Sequence, residues 1–174
     1  MVRYGKNSQR RLRAMRIFFT LVLVAVFLVG TAAAQSPSKI VSVAQKGDTV
    51  LMTRSAALNV RVVITTVATK RAATAWDPAF YDPKSWVDNL VINVNGANIF
   101  VPLSAFLDLF DLNEAEVRLK RKTGVLLVRG AEASESYWAE IAFDTKGVTR
   151  KRAGPNVPKG AVTEETTYRV VVVQ

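Results

Sequence analysis

The side chains best equipped for chemistry lie in one stretch. Asp77, Asp82 and Asp88 occur there with Trp76, Phe80, Tyr81 and Trp86, which brings together two of the chain's three tryptophans. Two carboxylates held about 5–9 Å apart across a sugar-sized cleft would cleave a glycosidic bond. Nothing in the spacing of these three acids sets such a separation. Asp77 and Asp82 each precede proline, where aspartate starts a turn, so turn-capping is the simpler reading. Hard cations need about six or more oxygens, and no EF-hand spacing supplies them.

Histidine and cysteine are both absent. That removes the commonest general base, the thiol nucleophile and the usual ligands of zinc. Ser-His-Asp and Cys-His arrangements are impossible, as are disulfides and a lipid-modified cysteine. The glycines sit singly at turns, not in a phosphate-cradling loop. The expectation is a protein that is not an enzyme and uses neither metal nor cofactor.

Binding remains. The aromatic group Trp76, Phe80, Tyr81 and Trp86 reads in two ways. It forms a platform for a sugar or peptide, because aromatic faces give contact area at low entropic cost. Alternatively, it caps an open end of the fold as a second small core. Arg118, Lys120, Arg121 and Lys122 form a basic run, and Arg150, Lys151, Arg152 and Lys159 form another. On one face they would attract anionic envelope polymers or phospholipid. As a solvated surface they would instead discourage edge-to-edge strand pairing.

The first residues read as an address. Arg3, Lys6, Arg10, Arg11, Arg13 and Arg16 precede Ile17 to Val29, which is apolar except for Thr20. Thr31-Ala32-Ala33-Ala34 follows, with small residues where a signal peptidase reads. The expected cut is after Ala34, making residues 1–34 a signal peptide and 35–174 one mature domain, periplasmic or secreted. A retained anchor is the alternative, although the apolar run falls short of the roughly 20 residues a spanning helix needs. Six of the 24 basic residues lie in this leader, and the remaining 18 against 14 acids leave a net charge of +4. The basicity of the whole chain is mostly targeting signal, so no nucleic-acid partner is expected.

These candidates must be positioned by strands. Asn95-Gly96 demands a two-residue type I′ hairpin, because both residues tolerate positive φ. The turn pairs Val94 with Ala97, Ile92 with Ile99 and Leu90 with Val101 on a core-facing side, and Asn93 with Asn98 on the other. Pro102 ends the ladder, and Leu103, Phe106, Leu107 and Phe110 then follow helical spacing. Ile40 to Val43 and Thr49 to Thr53 flank a turn at Lys46-Gly47-Asp48. Leu58 to Thr69 is a strand with Val60, Val62 and Ile64 on one face. Glu114 to Lys122 turns at Thr123-Gly124 into Val125 to Arg129. Tyr137 to Asp144 sets Tyr137, Ala139, Ile141 and Phe143 against Trp138 and Glu140. Thr145-Lys146-Gly147 leads into Val148 to Lys151, Gly154 to Gly160 is a loop, and Thr166 to Val173 closes the chain as a strand paired within a sheet.

The sum is an all-β antiparallel β-sandwich of roughly nine short strands with one short helix, or a partly open β-barrel. The functional expectation is an exported, non-enzymatic binding or structural domain of the cell envelope or extracellular space, with a protein or glycan partner of unspecified identity. Its contact would be loop 70–88 or an exposed sheet edge. The alternatives are a carbohydrate-binding protein using that loop and an inhibitor or immunity-type protein.

Overall fold

The computed structural model describes residues 39–68 and 83–169. The leader, Trp76, Asp77, Phe80, Tyr81, Asp82 and Val170 to Val173 lie outside them. Ten strands occur among the described residues: β1 (Val41–Ser42), β2 (Gly47–Arg54), β3 (Asn59–Val67), β4 (Trp86–Val94), β5 (Ala97–Asn98), β6 (Leu112–Lys120), β7 (Thr123–Gly130), β8 (Tyr137–Phe143), β9 (Val148–Pro155) and β10 (Glu164–Thr167). One sheet has the order β1-β6-β7-β8-β9-β10 and the other β2-β3-β4-β5, with every strand pairing antiparallel. The fold is all-β and consistent with a sandwich.

Alternation decides which face is buried. Val60, Val62 and Ile64 of β3, Leu90, Ile92 and Val94 of β4, Ala115 and Val117 of β6, and Tyr137, Ala139, Ile141 and Phe143 of β8 enter one shared hydrophobic cluster. Each large side chain buried in this way contributes roughly 1.5–3 kcal/mol.

The hairpin forms at the expected residues. Asn95 has φ 54° and Gly96 has φ 90°, and Val94 pairs with Ala97 and Asn93 with Asn98. Ile99 N–H donates to Ile92 O at 2.9 Å, and both isoleucines are buried. The ladder stops there. Phe100 leaves β4 and bridges Gly147 beside the other sheet, so the expected Leu90–Val101 pair does not form.

The amphipathic helix after Pro102 is absent. A single 3-10 turn spans Leu103–Ala105, and Phe106 breaks it at φ −144°. Leu103 is 64% exposed, whereas Ala105, Phe106, Leu109 and Phe110 are buried. Backbone pairing outweighs the helical spacing. Phe110 bridges Trp86, Leu109 O accepts from Val87 N–H at 3.0 Å, and Asp111 N–H donates to Ser85 O at 2.9 Å. These bonds need extended backbone where the helix would have run.

Three further expectations are corrected. Gly47 and Asp48, expected in a turn, begin β2, and the strands on either side of that turn go to different partners, β1 to β6 and β2 to β3. The residues between them cross from one sheet to the other, pinned where Thr66 Oγ1 donates to Ala44 O at 2.7 Å and Ala44 N–H donates to Thr49 Oγ1 at 2.9 Å. The β6–β7 turn is Arg121-Lys122, with Arg121 at φ 53°, not Thr123-Gly124. Gly124 is needed for packing, because a Cβ there would lie 2.3 Å from the Phe143 ring. Finally, the last described strand, β10, begins at Glu164 rather than Thr166 and is an edge of its sheet among the described residues, while positions 170–173 of the expected strand lie outside them.

Candidate functional site

The outward face of the six-stranded sheet carries the most polar chemistry among the described residues. With Tyr137, Ala139, Ile141 and Phe143 pointing into the core, Trp138 and Glu140 must point out. Register aligns them in rows: Arg129, Trp138 and Gly154 in one, and Leu127, Glu140, Arg152 and Glu165 in the next. Opposite charges meet along these rows. Arg129 lies 3.1 Å from Glu114, and Arg152 lies 3.8 Å from Glu140 and 3.4 Å from Glu165. Such half-exposed pairs contribute about 0–1 kcal/mol each, so they set the positions of side chains more than they stabilise the fold.

A loop folds back over this face. Asn156 N–H donates to Ser136 O at 2.9 Å, and Thr163 N–H donates to Ala153 O at 2.9 Å. Gly154 permits the approach, since a Cβ there would lie 2.0 Å from Ala161 O. The result is a cavity of about 270 Å³. Its floor is Leu127, Arg129, Trp138, Glu140 and Arg152, and Asn156, Lys159 and Gly160 of the loop line it too. Leu127 is only 7% exposed although it points away from the core. Trp138 Nε1 and Arg152 Nε are both buried without a hydrogen-bond acceptor. Arg152 Nε is near Glu165, but the contact lacks hydrogen-bond geometry.

A second opening, of about 830 Å³, lies beside β2. Among the described residues, β2 has β3 on one side and no strand on the other. Its outward residues Val50 and Met52 are 43% and 74% exposed, and Lys39, Arg54 and Val41 help to line the groove.

The residues singled out from sequence are dispersed. Trp86 is a core residue, 1% exposed, with its ring 5.6 Å from that of Phe110, which stands 5.1 Å from Tyr137. It offers no surface to a ligand, which corrects its place in the aromatic platform. The core needs it there because β4 begins at Trp86 and faces inward. Trp76, Phe80 and Tyr81 lie outside the described residues. Asp88 is exposed on β4. Arg118 forks onto Glu116 at 2.9 and 2.6 Å, and this hydrogen bond, more than simple charge attraction, raises its pKa above the ordinary arginine value. Lys120, Arg121 and Lys122 are exposed at the hairpin end.

Arg118 and Arg150 share one row of the outer face with Val125 and Ala142 between them. At about 4.8 Å per strand they are about 14 Å apart, so the two basic runs share a face without merging. Lys151 departs from its run altogether. It points inward, is 0% exposed, and pairs with Asp108 and with Glu164, the latter at 3.6 Å. Sequence reasoning places Trp138 and Glu140 on the non-core side and Gly154 to Gly160 in a loop, but Gly154 and Pro155 belong to β9 and the loop begins at Asn156. It missed that the loop lies over the tryptophan, because that contact depends on Gly154 facing outward beside it.

No protein-family model, curated protein or solved structure matches the chain.

Proposed function

We propose that the chain is an exported, non-enzymatic binding domain of the cell envelope or extracellular space, built as a β-sandwich, whose partner is another protein. The observation that carries this reading is the edge of β2, which has no partner strand among the described residues. Its backbone offers a row of hydrogen-bonding groups to an added strand, and the exposed Val50 and Met52 give that strand apolar contacts. An extended partner segment fits the groove, with its main chain supplying affinity and alternate side chains supplying specificity. Lys39 and Arg54 favour an acidic flank on the partner. The absence of histidine and cysteine supports binding without turnover. The basic leader and apolar run support export.

The test places a photo-crosslinking amino acid at Met52 and, separately, at Ser134 on a distant exposed turn. A discrete polypeptide adduct from envelope fractions is expected at position 52 and not at 134. In the purified complex, β2 amides gain protection from hydrogen exchange. Identical adducts at both positions, or unchanged exchange in β2, would refute the assignment.

A further inference from the structure

We infer that the cavity on the outer face of the six-stranded sheet is a binding site for a small carboxylate-bearing sugar of the hexuronate type. The argument starts from two donors. Trp138 Nε1–H and Arg152 Nε–H are buried and make no hydrogen bond, Arg152 Nε standing 3.4 Å from Glu165 in an ion pair without hydrogen-bond geometry, and their residues line the same cavity. Buried N–H groups in native proteins are nearly always paired, so two orphans in one cavity call for an acceptor from outside the chain. An anionic oxygen is the best such acceptor, because hydrogen bonds to charged groups are about twice as strong as neutral ones. Arg129 and Lys159 add positive charge to the lining.

The body of the ligand follows from the rest of the wall. A volume of about 270 Å³ suits a monosaccharide and is too large for a bare ion. The Trp138 ring and Leu127 offer apolar surface to a sugar's C–H face. Glu140 and Asn156 supply an acceptor and an amide for hydroxyl groups. The site is also built for permanence. Gly154 lets the loop reach the sheet, and the main-chain bonds at Asn156 and Thr163 fasten the loop's two ends.

The probe is glucuronate, titrated into the full chain, with glucose and acetate as controls. Readouts are calorimetry and the indole N–H resonances, Trp138 being identified by its loss in Trp138→Phe. Saturable movement of the Trp138 resonance with glucuronate, and none with glucose, is expected. Arg152→Lys keeps the charge but removes the buried Nε–H, and Trp138→Phe keeps a ring but removes the donor. Each should weaken glucuronate binding about tenfold, the loss of one charge-assisted bond. Three results overturn the site: no saturable shift in the unmodified protein, a response to glucose equal to that with glucuronate, or undiminished affinity in both folded variants. Acetate binding as tightly as glucuronate overturns the sugar component. The titration of the unmodified protein decides the matter even if a variant fails to fold.

Discussion

At the scale of single residues, the most consequential side chain is Lys151. Its neighbours Arg150 and Arg152 point outward and pair with surface acids, while alternation turns Lys151 into the interior. A buried cation persists only when paired, and Asp108 and Glu164 provide the pairing. Removing the lysine strands these carboxylates near the core. Lys151→Met should therefore lower unfolding free energy by about 3 kcal/mol, and Lys151→Met with Asp108→Leu should regain most of that loss. Denaturant melts of the single and double variants check both. Equal losses in the two variants would argue that packing of the lysine stem, not charge, is what matters.

Tyr168 lies beside the same cluster. Burial pushes its phenol above the ordinary value of 10.0, its hydrogen bond with Ser104 opposes this in part, and the charges of Glu164 and Asp108 each add a smaller upward push. A raised folded-state pKa stabilises the fold fully below the unfolded value, and that contribution is lost as pH rises through the folded value. Stability should thus fall on the alkaline side, above about pH 10. Tyr168→Phe should flatten this limb and leave neutral-pH behaviour little changed, as thermal melts between pH 8 and 11 will reveal. None of this was legible in sequence. The run Arg150, Lys151, Arg152 looks uniformly basic, and the acids that single out its middle member lie 43 residues before and 13 after it.

At the scale of elements, local signals were legible where local chemistry decided the outcome. Asn95-Gly96 gave its hairpin and register because positive φ at two adjacent residues leaves little choice. The alternation in Tyr137 to Phe143 gave the inward face of β8 because the period of a strand is fixed. The segment after Pro102 misled because its apolar spacing fits both a helix and a chain crossing between sheets. Only the remote bonds to Ser85, Trp86 and Val87 distinguish them. Gly124 misled for a related reason. Beside a hairpin a glycine suggests a turn, yet its need comes from Phe143 on the neighbouring strand. Gly124→Ala should therefore act as an overpacking substitution, costing about 1–3 kcal/mol through displacement of the ring. A structural comparison would find the Arg121-Lys122 turn unchanged and Phe143 moved. An intact ring position with a rearranged turn would restore the sequence-based reading of Gly124.

At the scale of the molecule, each sheet must end somewhere, and how it ends decides what the protein meets. Among the described residues, the six-stranded sheet finishes on short strands, two residues in β1 and four in β10, the latter carrying Glu164 and Glu165. Short, charged edges discourage further pairing. The four-stranded sheet ends differently at β2, with eight residues and two exposed apolar side chains. When no other partner is bound, that edge is where one copy of the chain is expected to pair with another. Met52→Lys puts a charge at the most exposed of these positions and touches nothing in the core. It should leave the melting temperature nearly unchanged, since surface substitutions of this kind fall within about ±0.5 kcal/mol. It should also reduce concentration-dependent self-association, measured by sedimentation velocity over a range of loading concentrations. Self-association unaffected by Met52→Lys and by Val50→Lys would remove β2 as the reactive edge. The strand-addition reading of the groove beside it would then lose its physical basis.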